Sequence, residues 1–129
     1  MREPVMDTLA FFDDHRSALP LYEAVEEQIF RAFPGAEKRV QKTQITFYQR
    51  HVFACVSFAR VRRKAQLPDP YLVLTLGLPR RVDSPRAAVQ TEPYPGRWTV
   101  HVVLGSERDL DEELLSLLRE AWDFSQSKR

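Results

Sequence analysis

The segment GRWTVHVVL, residues 96–104, combines an arginine and a histidine with the alternation of a β-strand. Side chains on a strand point alternately to its two faces, so Arg97 and His101 share one face and Trp98 and Val100 the other. A guanidinium offers a fork of donors to a carboxylate or phosphate, and an imidazole makes directional hydrogen bonds. The pattern predicts either a contact surface for a small anionic ligand or a solvated sheet face.

More polar and aromatic residues fall on the same predicted face. Alternation within residues 40–49 supplies a lysine, a glutamine and a tyrosine, and another tyrosine begins the apolar segment 71–78. Aromatic side chains give a small polar ligand or a protein partner contact area, and polar groups give it orientation. The predicted ligand-binding residues are Lys42, Gln44, Tyr48, Tyr71, Arg97 and His101. Alternatively these groups are structural, bonded to backbone carbonyls or to Glu92 and Asp83 of a long loop pinned over the sheet.

Other chemistries need residue patterns that this sequence lacks. Cys55 and His101 would pair as thiolate and imidazolium only if their strands adjoin, and no third group that would orient them is evident. The histidines and the cysteine show no metal-ligand spacing, and four isolated glycines exclude the usual phosphate-binding loops. We therefore predict no catalytic residue, no metal and no cofactor, and an enzyme is not favoured.

Charge is segregated along the chain although the net charge is only +1. Residues 1–36 hold three basic and seven acidic side chains, residues 37–101 hold twelve and four, and residues 102–129 hold four and seven. This distribution has two possible explanations. Either the solvent-facing sides of the helices carry acidic residues and the loops carry arginines, or the basic middle of the chain binds an anionic partner. The second alternative predicts an accessory nucleic-acid-binding module with weak, nonspecific binding. Its candidate residues are Arg60, Arg62, Arg63, Lys64, Arg80, Arg81 and Arg86.

The bulk composition predicts one soluble globular domain over residues 1–129, with 43% hydrophobic and 29% charged residues. No apolar run approaches the roughly 20 residues of a membrane span. Acidic residues interrupt the N-terminal segment where a signal peptide would be apolar, and a single cysteine forms no internal disulfide. We therefore expect a cytoplasmic protein, and the oligomeric state stays open.

Helix signals lie at both ends of the chain. A short helix is predicted in residues 6–15, capped by Asp7 or Thr8, and a longer one from near Ser17 with Pro20 in its first turn. Pro34-Gly35 ends the longer helix. The last helix follows a capping box formed by Ser106 and Asp109. Its leucines form one broad apolar stripe with Ala121 and Trp122, which predicts that it docks on the sheet.

Four strands are predicted between these helices, within residues 40–49, 52–61, 71–78 and 96–104. Alternation assigns Val52 to the core and Phe53 to the opposite face, and residues 79–95 form a long proline-containing loop. The order predicts an α+β two-layer sandwich: a mainly antiparallel four-stranded sheet with the N-terminal helices and the C-terminal helix on one face. The other face is then available for the predicted ligand.

Four separated segments resemble an uncharacterised bacterial family, domain of unknown function 5655. They are KTQITF (42–47), LGLPRRVDSPR (76–86), GRWTVHVVL (96–104) and DLDEELLSLLREAWD (109–123). The resemblance implies a small protein of no known activity, free-standing here, although other members look like modules attached to nuclease-like domains. It also implies polar motif positions at Lys42, Gln44, Arg97 and His101. Members often carry a histidine where this chain has Val100, so a paired-histidine site is not expected.

The layout of helix, sheet and helix is also similar to small proteins of the frataxin-like kind. In those proteins an acidic helix and a sheet edge meet iron, and the matching acids here would be those in residues 107–113. The resemblance therefore implies a third alternative, an acidic-helix protein that handles a metal or iron.

Overall fold

The computed structural model of the chain describes residues 6–128, with side chains described from residue 8 onward. The helices are α1 (Met6–Phe11), α2 (Leu19–Ala32) and α3 (Glu112–Gln126). The strands are β1 (Glu37–Val40), β2 (Gln44–Gln49), β3 (His51–Ser57), β4 (Leu72–Leu78), β5 (Ala87–Tyr94) and β6 (Arg97–Leu104). Short 3-10 turns lie at Arg16–Ala18, Lys64–Gln66 and Glu107–Asp109.

The strands form one antiparallel sheet in the order β1-β2-β3-β4-β6-β5. The first four strands form a meander, and residues 79–86 then carry the chain from the end of β4 past β6 to the outer strand β5. Val82 in this crossover is buried in the core, and Arg80 and Arg86 form ion pairs with residues of α3 or its cap. The crossover therefore runs on the helix side of the sheet. We call the opposite side the open face.

The predicted α+β class is confirmed, but the expected number of four strands is wrong because the sheet has six. The two unpredicted strands, β1 and β5, are the two edges of the sheet. The sequence of β1, EKRV, is mostly charged, and that of β5, AAVQTEPY, contains a proline. Charges and prolines protect a sheet edge against pairing with other chains, and they also hide the apolar alternation by which strands are predicted.

One face of the sheet packs against α2 and α3. The sheet contributes Ile45, Phe47, Val56, Leu72, Leu74, Leu76, Leu78, Val100, Val102 and Leu104 to this core. The two helices contribute Leu21, Val25, Ile29, Leu114, Leu117, Leu118 and Ala121. Full burial of one such side chain stabilises the fold by about 1.5–3 kcal/mol. The predicted apolar stripes of both helices are therefore the surfaces that hold the two layers together.

A β-bulge changes the face of two residues in β3. The register shifts where Tyr48 lies opposite Val52, so that Phe53 is an extra residue. Phe53 is 1% exposed and its ring meets that of Trp122 edge-on at 5.2 Å, whereas Val52 is 45% exposed. The prediction that Val52 faces the core and Phe53 the open face is wrong, because strict alternation does not foresee a bulge.

The ends of the first two helices differ in how well they were predicted. Helix α2 carries Pro20 in its first turn and ends before Pro34, as expected. Helix α1 already begins at Met6, so the predicted caps Asp7 and Thr8 lie inside it. The residues that precede Met6 lie outside the described residues.

The start of α3 uses two caps in succession. The carboxylate of Asp109 accepts a hydrogen bond from the backbone N–H of Ser106 at 3.2 Å, so the predicted pair caps the 3-10 turn that precedes the helix. The cap of α3 itself is Asp111, whose carboxylate accepts from the N–H of Leu114 at 3.0 Å. A carboxylate at this position also favours the helix through the partial positive charge of its N-terminus.

Candidate functional site

A row of polar side chains crosses the four central strands on the open face. Strand register places Thr46, Cys55, Thr75 and His101 side by side on β2, β3, β4 and β6, and we call them the central row. The Oγ1 of Thr75 lies 2.8 Å from the Nδ1 of His101, so hydroxyl and imidazole share a hydrogen bond. Burial lowers the pKa of His101 and thereby favours its neutral form. His101 is therefore a hydrogen-bonded neutral group of the sheet at neutral pH.

The thiol of Cys55 in the central row is poorly suited to nucleophilic chemistry. Burial raises the pKa of this thiol, and a hydrogen bond with Thr46 offsets the rise only in part. The amide of Gln44 donates to Thr46 Oγ1 at 3.0 Å and lies 3.5 Å from Cys55 Sγ. Strand β4 separates Cys55 from His101, so their strands do not adjoin and the pair considered above does not form.

The predicted ligand-binding residues do not form one cluster. Register places Gln44 in line with Val103, three strand spacings away, which amounts to roughly 14 Å. Arg97 lies six residues before Val103, roughly 20 Å along β6. Lys42 precedes Gln44 and lies on the other side of the line from Gln44 to Val103, so it is still farther from Arg97. The expectation that Lys42 and Gln44 lie close to Arg97 and His101 is wrong, because β3 and β4 stand between them.

Arg97 and Tyr48 have other neighbours. Arg97 begins β6 opposite Tyr94 and is exposed. Burial lowers the pKa of Lys128, and the nearby charge of Arg97 lowers it further, so two cations lie near each other at this end. The ring of Tyr48 lies 4.6 Å from the guanidinium of Arg39. Neither Arg97 nor Tyr48 is among the residues that line the two concave surfaces beside Lys42.

No loop among the described residues pins the open-face groups in the way the structural alternative expected. Glu92 belongs to β5, and its carboxylate accepts a hydrogen bond from the N–H of Gly96 at 2.9 Å in the β5–β6 turn. Residues 79–86, which contain Asp83, cross on the helix side. The central row is instead joined by hydrogen bonds between its own members and their immediate neighbours.

A groove of about 500 Å³ lies where the end of β3 meets the turn between β1 and β2. We call it the Phe58 groove. It is lined by Phe11, Asp14, His15, Lys42, Thr43, Gln44, Phe58 and Ala59. These residues belong to three segments, namely the end of α1 with the residues that follow it, the β1–β2 turn, and the end of β3. Two of the predicted ligand-binding residues, Lys42 and Gln44, therefore meet in one concave surface.

Aromatic rings form the floor of the Phe58 groove. The rings of Phe12 and Tyr71 meet Phe58 edge-on with centroids 5.6 and 5.8 Å away, and the Tyr71 hydroxyl donates to the Phe58 carbonyl at 2.9 Å. The imidazole of His15 stacks on Phe58 at 3.8 Å. Tyr71, predicted to contact the ligand, is therefore a support for the floor. Sequence reasoning missed His15 and Phe58, because the groove exists only where three distant segments meet and no local pattern signals it.

Comparison with known proteins identifies the family. A family model described as a domain of unknown function (DUF5655) matches residues 10–125. The chain belongs to the DUF5655 family. The predicted resemblance is thereby confirmed, although the family description assigns no activity. No curated protein and no solved structure matches the chain, so the frataxin-like similarity expected above finds no support.

Three of the basic residues considered for nucleic-acid binding make internal contacts in this DUF5655 chain. Arg80 forms a two-point ion pair with Glu120, with both N–O distances 2.8 Å. Arg62 donates to the carbonyl of Pro85 at 3.1 Å. The guanidinium of Arg86 lies 2.7 Å from Asp111 and, like that of Arg80, joins the basic middle of the chain to its acidic end. Part of the positive charge in residues 37–101 is therefore paired with acidic residues of the C-terminal segment.

The described part of the DUF5655 chain offers no group of three or more histidine, cysteine, aspartate or glutamate side chains that could hold a metal ion. The metal-handling alternative therefore finds no supporting geometry in residues 8–128. No helix in this part is both long and apolar enough to cross a membrane.

Proposed function

We propose that this DUF5655 domain binds a small anionic ligand in the Phe58 groove without transforming it. The observation that carries the proposal is the meeting of Lys42 and Gln44 with an aromatic floor in one groove of about 500 Å³. Small-molecule sites are typically concavities of about 300–1,000 Å³ with apolar walls and a few polar groups that orient the ligand. The groove has this volume and an apolar floor, whereas most of its wall residues are polar.

Lys42 is the main source of attraction for an anion. Its side chain is exposed, so the ammonium is a compact charge on a flexible stem that can reach a ligand in the groove. The amide nitrogen of Gln44 already donates to Thr46 Oγ1, and it contributes mainly to the shape of the wall. Asp14 on the same groove repels anions and offsets part of the attraction that Lys42 exerts. We take a carboxylate as the anion, because an ammonium forms charge-assisted hydrogen bonds with it.

The groove supports binding rather than reaction. A general base needs a partner that fixes its orientation and its tautomer. Among the described residues, no hydrogen bond joins the imidazole of His15 to the carboxylate of Asp14. The thiol of Cys55 is not among the lining residues, and its raised pKa keeps it protonated at neutral pH.

Backbone amide shifts during a titration with sodium acetate, at constant ionic strength set with sodium chloride, test the proposal. We expect saturable shifts at Thr43, Gln44 and Ala59. The dissociation constant should be roughly millimolar, because acetate can make only a few contacts with the groove. Lys42→Gln should weaken acetate binding at least about fivefold, because it removes the ammonium. Lys64→Gln is the matched control, since it removes one exposed lysine charge outside the groove. Equal affinities in the two variants would refute the proposal.

A further inference from the structure

The imidazole of His15 covers the aromatic floor of the Phe58 groove. Its ring lies flat on the ring of Phe58, with centroids 3.8 Å apart and planes inclined by 14°. The side chain is exposed, and the residue lies between α1 and the 3-10 turn that begins at Arg16. Within residues 8–128 no side-chain hydrogen bond holds the imidazole in this position. Stacking on Phe58 is therefore the contact that orients it.

Phe58, in contrast, is fixed from several sides. Phe12, which is 1% exposed, and Tyr71 meet its ring edge-on, at interplanar angles of 84° and 88°. The hydroxyl of Tyr71 also donates to the Phe58 carbonyl at 2.9 Å. The groove thus contains a firmly held aromatic ring whose accessible side is covered by a side chain that can rotate away.

We infer that the ligand of the Phe58 groove is a flat aromatic carboxylate whose ring replaces the imidazole of His15 on Phe58. This inference rests on the proposed function, because the carboxylate is held by Lys42 in the same groove. The stack between His15 and Phe58 shows that a flat ring fits against this floor at van der Waals distance. Offset or parallel stacking on an aromatic ring favours a planar ligand over a puckered one of equal charge.

Two probes with the same charge and the same number of carbon atoms separate stacking from charge. Benzoate is flat and aromatic, whereas cyclohexanecarboxylate is puckered and saturated. We expect benzoate to bind about fivefold more tightly, which corresponds to the usual preference of one aromatic stack. The ring protons of His15 report on displacement, because the ring current of Phe58 shifts them in the free protein. Benzoate should return these resonances toward the values of an unstacked histidine.

A variant tests the same displacement independently. His15→Ala removes the group that must leave, so benzoate should bind two- to threefold more tightly while cyclohexanecarboxylate changes less. His51→Ala is the matched control, because it removes a histidine at the β2–β3 turn, outside the groove lining. Tighter benzoate binding in His15→Ala but not in His51→Ala supports the inference.

Failure of the inference is distinguishable from failure of the proposed function. Equal affinities of the two carboxylates, or benzoate binding that leaves the His15 resonances unmoved, would overturn the stacking of the ligand on Phe58. Anion binding that depends on Lys42 would then still stand. If neither carboxylate produces saturable shifts at Thr43 and Ala59, both the inference and the proposed function are wrong.

Discussion

The two faces of the sheet are stabilised by different interactions, namely apolar packing on the covered face and hydrogen bonds between side chains on the open face. On the covered face, apolar side chains such as Leu74 and Val100 pack against helices. Burial against any apolar side chain of suitable size stabilises them. On the open face, Thr75 needs a partner with a polar atom at 2.8 Å, and it finds His101 because β4 and β6 adjoin. Hydrophobic burial is non-directional, whereas hydrogen bonds and ion pairs are directional. The covered face therefore follows from alternation except at the bulge that buries Phe53, and the open face also requires the strand order.

The largest expected effect concerns the covered face. Leu114 on α3 is fully buried, so Leu114→Ala should lower the free energy of unfolding by about 2–5 kcal/mol through lost burial and a cavity. Urea unfolding measures this loss. Leu9→Ala is the control, because Leu9 is 56% exposed and its truncation should cost less than about 0.5 kcal/mol. Similar losses in the two variants would contradict the assignment of α3 to the core.

The next effect concerns the crossover on the helix side. The guanidinium of Arg86 pairs with Asp111 and Glu113 and donates to the carbonyl of Asp109. Both carboxylates are half-exposed, so water can solvate them once the guanidinium is gone, and Arg86→Ala should cost about 1 kcal/mol in urea unfolding. Arg81→Ala, at an exposed position of the same crossover, should cost less than about 0.5 kcal/mol. If Arg86→Ala were as mild as Arg81→Ala, the ion pairs would not fasten the crossover to α3.

A smaller effect concerns the centre of the open face. Because burial lowers the pKa of His101, the unfolded chain binds this proton more readily than the folded chain does. Stability contributed by the neutral ring is therefore present above the ordinary imidazole pKa of about 6.5 and is lost as the pH falls below it. Unfolding by urea at pH 7.5 and 5.5 should show a smaller loss on acidification for His101→Gln than for the wild type. An identical loss in both proteins would contradict the pKa shift.

A still smaller effect is expected in the Phe58 groove, beside the end of β3. Asp14→Asn removes a negative charge from the groove lining, so acetate should bind about two- to threefold more tightly, as expected for charges that interact through water. Asp13→Asn is the control, because Asp13 pairs with Arg16 at 3.2 Å and does not line this groove. Titrations followed by amide shifts measure both affinities. Equal gains in the two variants would indicate a general charge effect rather than a local one.

The sequence was sufficient for the helices and for the four inner strands, because their apolar residues recur at regular spacing and are buried together. The edge strands β1 and β5 were missed, since EKRV and AAVQTEPY lack that spacing. Lys42 lies in the β1–β2 turn and not, as alternation predicted, on a strand, although it lines the same groove as Gln44. Arg97 and His101 were wrongly placed near these two residues. The alternation within one strand does not specify its neighbours in the sheet, so it did not indicate that β3 and β4 lie between β2 and β6.

The proposed ligand site is the Phe58 groove and not the central row. Intermolecular nuclear Overhauser effects from the methyl protons of bound acetate test it directly, because both places carry protein methyl groups. Thr43 and Ala59 line the groove, whereas Thr75 belongs to the central row and Val89 lies opposite His101 at its end. We predict effects to the methyl groups of Thr43 and Ala59. Effects to Thr75 and Val89 instead would contradict the account and place the ligand over the middle of the sheet.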